Sequence, residues 1–127
     1  MKDKHMQIVL VDDDPDVIDL MSLALEQAGH TVITSPAGAP IVSTLKADPP
    51  DVLITDLMMA ELTGLELCEL VNTTARLSKM KIIVISARTD DLWKDKAKDC
   101  GAAGFIEKPI DVMTFAATVE GIVSAST

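Results

Sequence analysis

The fold is decided by the stretch Ile8-Val9-Leu10-Val11-Asp12-Asp13-Asp14-Pro15, where a short apolar run passes directly into three aspartates and a proline. The apolar run is rich in β-branched side chains and too short for a helix, so it predicts a buried strand. Asp14 before Pro15 has the pattern of a helix N-cap followed by proline at the first helical position. A strand followed at once by a helix is the repeating unit of an α/β fold.

Four further apolar runs predict four more buried strands: Val32-Ile33, Val52-Leu53-Ile54, Ile82-Ile83-Val84-Ile85 and Gly104-Phe105-Ile106. Apolar side chains recur at helical spacing between and after these runs. The stripes are Val17, Ile18, Met21, Ala24, Leu25 and Ala28 in the first helix, Leu67, Cys68, Val71 and Ala75 in the third, Leu92, Trp93, Ala97 and Cys100 in the fourth, and Val112, Phe115, Ala116, Val119, Ile122 and Val123 in the fifth.

Turn-forming residues mark the helix ends. Gly29 is expected to close the first helix, and Pro40 is expected to open a second helix that ends near Asp48. The fourth helix, Asp90–Asp99, has the weakest apolar stripe. Repeated strand–helix units of this kind predict a doubly wound, five-stranded parallel sheet in the flavodoxin-like order 2-1-3-4-5.

The composition is that of one folded domain. The sequence has 127 residues, of which 48% are hydrophobic and 24% charged, and one domain is expected at this length. We expect a tail over residues 1–6, the domain over 7–124 and a stub over 125–127. No apolar run approaches the roughly 18 residues of a membrane span, and no signal peptide is recognisable. The expected location is the cytoplasm, with Cys68 and Cys100 as reduced thiols.

The charge balance argues against direct binding of nucleic acid. Twenty acidic residues against eleven basic ones give a net charge of −9, whereas nucleic-acid binders present basic stripes. The aromatic residues Trp93, Phe105 and Phe115 are also too few for a base-stacking surface. A cation or a basic partner surface fits this charge better.

Open α/β sheets bind ligands beyond the carboxyl ends of their strands, and five chemically capable side chains fall there: Asp12, Asp13, Asp56, Ser86 and Lys108. Crowded carboxylates repel one another, and a bound divalent cation relieves that repulsion. A few oxygen ligands without His or Cys, with room left for water and phosphate, favour Mg²⁺. Together with a hydroxyl and an ammonium, they predict a Mg²⁺-assisted phosphoryl site with a carboxylate nucleophile.

Four motifs covering about residues 7–124 resemble the receiver domain of two-component response regulators. They are Val11-Asp12-Asp13-Asp14-Pro15, Pro50-Asp51-Val52-Leu53-Ile54-Thr55-Asp56-Leu57-Met58-Met59 with Gly64, Val84-Ile85-Ser86-Ala87, and Gly104-Phe105-Ile106-Glu107-Lys108-Pro109. The resemblance implies a domain phosphorylated by a histidine kinase or a histidine phosphotransfer protein. It also implies no enzymatic activity beyond self-phosphorylation and slow self-dephosphorylation.

The resemblance implies a role for each residue of the acidic rim. Asp56 matches the phosphoacceptor. Asp12 and Asp13 match the pair that holds Mg²⁺, Asp13 directly and Asp12 through water. Met58 matches the position whose backbone carbonyl completes the metal shell, together with the Asp56 carboxylate.

The resemblance further implies a conformational switch. Ser86 matches the hydroxyl residue that moves to bond the phosphoryl group, Lys108 matches the lysine that pairs with a phosphoryl oxygen, and the peptide before Pro109 is expected to be cis. Phe105 matches the aromatic residue whose ring turns inward as Ser86 moves. The implied output face is formed by the fourth helix, the fifth strand and the fifth helix. It is expected to control an effector domain or downstream protein, or to support a phosphorylation-dependent dimer.

Two side chains are expected to set the lifetime of the phosphoryl group. Met58, two residues after Asp56, can cover that group but cannot orient a water molecule. Arg88, two residues after Ser86, can lie over the phosphoryl oxygens without serving as a base. We therefore expect slow self-dephosphorylation.

The sequence departs from the family pattern at two positions and leaves other functions open. Ala60 stands where proline is usual, and Phe105 stands where tyrosine is commoner.

A haloacid-dehalogenase-type phosphatase is an alternative, but it leaves Asp56 unexplained. A flavin-binding protein of this fold would need a phosphate loop where the aspartates stand. A degenerate receiver that acts only through protein contacts is a further alternative. The presence of Asp12, Asp13, Asp56, Ser86 and Lys108 together argues against it.

Overall fold

The computed structural model describes residues 5–36, 38–56, 80–87, 91–99 and 101–125. Their elements in chain order are β1 (Gln7–Val11), α1 (Pro15–Gln27), β2 (Thr31–Ser35), α2 (Gly38–Ala47), β3 (Val52–Asp56), β4 (Lys81–Ser86), α3 (Asp91–Asp99), β5 (Gly104–Glu107) and α4 (Phe115–Ala125). The third predicted helix, with the stripe from Leu67 to Ala75, lies outside the described residues. The fourth and fifth predicted helices are therefore α3 and α4 here. Among the described helices, none has the length and apolar character needed to cross a bilayer.

The five strands form one sheet in the order β2-β1-β3-β4-β5, and every pairing is parallel. This confirms the predicted α/β fold and its strand order. The register sets Val11 beside both Ser35 and Thr55, and Ser86 beside Glu107. The carboxyl ends of neighbouring strands therefore meet along one edge of the sheet.

The core has two layers, because successive side chains of a strand point to opposite faces of the sheet. On one face, Val9, Leu53 and Val84 pack with side chains of α2 and with Ala97 of α3. On the other face, Leu10, Ile54 and Ile85 pack with buried side chains of α1 and α4. Since both faces of the central strands are covered, their sequences are almost wholly apolar.

The ends of α1 lie where the capping residues in the sequence predict them. Asp14 is the N-cap, with its carboxylate accepting a hydrogen bond from the Asp16 N–H at 3.0 Å, and Pro15 follows it. Gly29 has a φ of +95°, which an L side chain rarely adopts. Its N–H donates to the Glu26 carbonyl at 3.0 Å, so the helix ends there as expected. Ala28, however, is exposed at the C-cap rather than part of the buried stripe.

Three predictions about the peripheral elements need correction. Ile33 on β2 is 48% exposed rather than buried as its apolar run predicted, because β2 lies at the edge of the sheet, where the predicted strand order places it and where a neighbouring strand covers only one side of it. α2 begins at Gly38 instead of Pro40, since proline is tolerated within the first turn, where N–H groups lack helical acceptors. In α3, Leu92 is 59% exposed and does not belong to a buried stripe.

Candidate functional site

Five of the predicted site residues come together at the carboxyl edge of the sheet. Asp12 and Asp13 follow β1, Asp56 ends β3, Ser86 ends β4 and Lys108 follows β5. Asp12, Asp56 and Ser86 are all buried. Buried polar side chains usually have polar or charged partners. Their common location therefore marks this edge of the sheet as a candidate chemical site.

Lys108 is the centre of charge pairing in this site. Its ammonium Nζ lies 3.0 Å from Asp12 Oδ2 and 3.0 Å from Asp56 Oδ2, and its side chain is only 18% exposed. Burial alone lowers the pKa of Lys108, but the close contacts of its ammonium with the carboxylates of Asp12 and Asp56 outweigh burial and raise the pKa above the ordinary 10.5. The lysine is therefore fully charged at neutral pH.

The Asp12 carboxylate is held in a fixed orientation by the chain itself. Its Oδ1 accepts a hydrogen bond from the Asp14 N–H at 2.8 Å, and the Asp12 N–H donates to the Ser35 carbonyl at 3.2 Å. Its Oδ2 is buried and, among the described atoms, receives no hydrogen bond of acceptable geometry. The contact of this oxygen with Lys108 is thus a poorly aligned ion pair, and the oxygen retains the capacity to take another cationic partner.

The acidic residues of the site fit a hard divalent cation. One carboxylate oxygen from each of Asp12, Asp13 and Asp56 lies within 4.8 Å of the others, and Asp13 is the exposed member. Three carboxylates against a single ammonium from Lys108 leave a formal charge of −2. An all-oxygen donor set of this size, partly open to water, suits Mg²⁺.

The segment after β5 joins the site to the neighbouring strand. The Lys108–Pro109 peptide is cis, as expected, and the Lys108 N–H donates to the Ser86 carbonyl at 2.9 Å. The expected switch residue Phe105 is half-buried and packs against the core layer that contains Val84 and Ala97. A backbone hydrogen bond therefore links Ser86 to Lys108, and Lys108 follows Phe105 by three residues along the chain.

Several predicted residues lie outside the part of the chain that the structure describes. They are Met58 and Arg88, which are expected to border the phosphoryl group, the loop residue Ala60, and the two cysteines Cys68 and Cys100. The roles predicted for them stay predictions.

Two ion pairs near the site and one polar contact away from it were not predicted from the sequence. Lys108 pairs with Asp12 as well as Asp56, and Lys94 pairs with Glu107. At the opposite edge of the sheet, His30 contacts Glu120 at 2.7 Å. These partners are far apart in sequence, so spacing carried no signal for them. For the pair of Lys108 with Asp12, the only indication in the sequence was that both residues follow strands whose carboxyl ends meet at one edge of the sheet.

Comparison with known proteins agrees with this geometry. Residues 8–120 match the family model for the response regulator receiver domain. The chain is 32% identical to the transcriptional regulatory protein KdpE of Mycobacterium tuberculosis over 94% of this chain and 52% of that protein. It is 26% identical to protein PilH of Pseudomonas aeruginosa, over 93% of this chain and 98% of that protein.

A solved structure of the chemotaxis response regulator CheY4 of Vibrio cholerae superposes with a TM-score of 0.88 at 25% identity, covering 94% of this chain and 99% of that one. The chain spans about half the length of KdpE. The family match, by contrast, covers nearly all of the present sequence. With its strand order and acidic edge, the chain belongs to the response regulator receiver domain family, the phosphoacceptor modules of two-component signalling.

Proposed function

We propose that the chain accepts a phosphoryl group on Asp56 from a histidine kinase or a histidine phosphotransfer protein. The observation that carries the proposal is the contact of Asp56 Oδ2 with the Lys108 ammonium at 3.0 Å, inside the cluster with Asp12 and Asp13. An unprotonated carboxylate is needed as nucleophile, and a neighbouring cation favours that form.

The chemistry assigned to the residues is an in-line transfer. A carboxylate oxygen of Asp56 bonds to phosphorus while the bond from phosphorus to the donor imidazole nitrogen breaks, and that nitrogen keeps the electron pair. Lys108 stays protonated and pairs with a phosphoryl oxygen, because its raised pKa keeps the proton in place. The Ser86 hydroxyl donates to another phosphoryl oxygen. Both contacts strengthen as charge builds up on the transferring group.

We assign Asp12, Asp13 and Asp56 as the residues that hold Mg²⁺, with the Met58 carbonyl as a further ligand. When bound, the ion neutralises charge on the phosphoryl oxygens and on the carboxylates. The buried Oδ2 of Asp12, which has no hydrogen bond of acceptable geometry among the described atoms, and the formal charge of −2 support this assignment.

The output assigned to this domain is a population shift. Phosphorylation adds a charge of about −1.5 to −2, which draws in Ser86 and Lys108 and leaves room for Phe105 to turn inward. The face formed by α3, β5 and α4 would then change its affinity for an effector domain, a downstream protein or a second copy. Met58 and Arg88 are proposed to shield the acyl phosphate, so that self-dephosphorylation is slow.

Incubation with acetyl phosphate, with and without Mg²⁺, tests this function by intact-mass detection. A receiver gains one phosphoryl group per chain only when Mg²⁺ is present, and does not turn over p-nitrophenyl phosphate. Repeated turnover of the ester would favour the phosphatase alternative. No mass gain with Mg²⁺ would favour the degenerate receiver that acts only through protein contacts.

A further inference from the structure

Lys94 on α3 makes two contacts with β5. Its ammonium Nζ lies 3.0 Å from Glu107 Oε1 and 6.0 Å from the centre of the Phe105 ring. Phe105 and Glu107 are two residues apart on one strand, so one ammonium contacts both. Glu107 lies beside Ser86 in the sheet and directly precedes Lys108, so these contacts reach the edge of the phosphoryl site.

Few of the described side chains on the helix that carries Lys94 are buried. Among the described side chains of α3, only Ala97 is buried, and Leu92 is 59% exposed. A groove of about 300 Å³ runs between α3 and β5, lined by Lys94, Ala97, Lys98, Ala102, Ala103, Gly104 and Phe105. The half-buried Phe105 ring therefore lies beside open space, and the Lys94 contacts are among the described contacts that join α3 to β5.

We propose that Lys94 is a positioning residue that holds Phe105 in its half-exposed arrangement before phosphorylation. The inference rests on the proposed function, in which Phe105 turns inward on phosphorylation. Inward rotation withdraws the ring from the ammonium, while the pair with Glu107 keeps the ammonium above β5. Lys94 thereby favours the unphosphorylated arrangement and raises the level of phosphodonor needed to switch the domain.

The effect is one of tuning rather than on–off control. The side chains of Lys94 and Glu107 are 41% and 55% exposed, and exposed ion pairs and exposed cation–aromatic contacts are both weak. Their loss is expected to move the switching equilibrium about two- to fivefold. Because both contacts are electrostatic, added salt should reduce the effect.

The chain offers a direct reporter of the ring, because it contains only two phenylalanines. Labelling with 4-fluorophenylalanine gives two ¹⁹F signals. Phe115 is buried at 2% exposure and serves as an internal reference, while Phe105 reports the switch. Acetyl phosphate with Mg²⁺ is titrated into the labelled protein, and the phosphodonor concentration at half-conversion of the Phe105 signal is measured.

We expect Lys94→Ala and Glu107→Gln to lower the half-conversion concentration about two- to fivefold. Lys94→Arg, which keeps the charge and can lie over a ring, should restore the wild-type value. Lys98→Ala is the matched control, because Lys98 lines the same groove and, among the described residues, its ammonium has no ion-pair partner. If Lys94→Ala leaves the midpoint at the wild-type value, as the control does, the positioning role is wrong.

Amide exchange without any phosphodonor separates this inference from the proposed function. Lys94→Ala should exchange faster than wild type and Lys98→Ala in residues 91–99 and 104–107, because the contacts between α3 and β5 are lost. Equal exchange in all three proteins would overturn the positioning role. A failure of phosphorylation in every variant, with faster exchange retained in Lys94→Ala, would instead overturn the proposed function.

Discussion

Lys108 and Asp56 lie 52 residues apart in the sequence, yet the ammonium Nζ of one is 3.0 Å from Oδ2 of the other. The same ammonium is 3.0 Å from Asp12 Oδ2. The proposed nucleophile is therefore already paired with a cation that belongs to the chain. A divalent ion that enters the acidic cluster competes with Lys108 for the same two carboxylates.

The first prediction concerns this competition. Lys108→Met should bind Mg²⁺ at least about tenfold more tightly, since removing a positive charge from a site with an effective dielectric constant of about 20 changes cation binding by several kcal/mol. Isothermal titration calorimetry with Mg²⁺ measures the affinity, and Lys98→Met controls for the loss of one surface charge. Equal or weaker binding by Lys108→Met would show that Lys108 does not compete with the ion.

The second prediction is a pH dependence of stability. The pKa of Lys108 is raised above 10.5 in the folded state, so the charged pair stabilises the folded protein fully below the unfolded pKa. That stabilisation is lost as the pH rises through the higher folded pKa. The difference in free energy of unfolding between wild type and Lys108→Met should thus be constant from pH 7 to about 10 and shrink above that value. Urea denaturation across this range measures it, and a difference that grows with pH would contradict the sign.

A third prediction concerns the buried His30. The Met6 N–H donates to Nδ1 at 3.1 Å, so we assign the proton to Nε2, which donates to Glu120 Oε2 at 2.7 Å. His30→Phe leaves both partners unpaired and should lower the free energy of unfolding by about 1–3 kcal/mol. Glu120→Gln retains an oxygen acceptor and should cost less than half as much. The two urea unfolding curves test this, and an unchanged midpoint for His30→Phe would exclude a stabilising role.

A fourth prediction contrasts two glycines. A Cβ on Gly104 would lie 2.7 Å from Ile122 Cγ2, so Gly104→Ala should destabilise the protein by about 1–3 kcal/mol. Adding Ile122→Ala, which removes the contacting atoms, should recover part of that loss as a favourable coupling. A Cβ on Gly121, in α4, meets nothing within 4 Å. Gly121→Ala should therefore stabilise the helix by about 0.5–1 kcal/mol, and equal effects of the two alanines would contradict this packing.

The central strands and the site edge could be predicted because their physical constraints are visible in short stretches. A strand buried on both faces must be apolar throughout, so β1, β3 and β4 stand out, and a polar residue at the end of such a strand has few structural explanations. Asp56 after the apolar run of β3 is the clearest example. The alternation of strands with helices then left few arrangements of the sheet.

The exposure of Ile33 could not be predicted from the Val-Ile pair itself, because an edge strand and a central strand can carry the same pair. Only the strand order 2-1-3-4-5, which places β2 at the edge of the sheet, indicated it. The pairing of Lys94 with Glu107 could not be predicted either, since the residues are 13 apart on separate elements and meet only through packing. The contact of Lys108 with Asp12 has the same origin. Strand order brings the residues to one edge, but side-chain reach decides which atoms touch.

Intact-mass detection of the Asp56→Asn variant shows whether Asp56 is the residue that accepts the phosphoryl group. Wild type, Asp56→Asn and the control Asp48→Asn, an exposed acidic residue in the turn before β3, are each incubated with acetyl phosphate and Mg²⁺. We expect a gain of one phosphoryl group in wild type and Asp48→Asn, and none in Asp56→Asn. An undiminished gain in Asp56→Asn would contradict it.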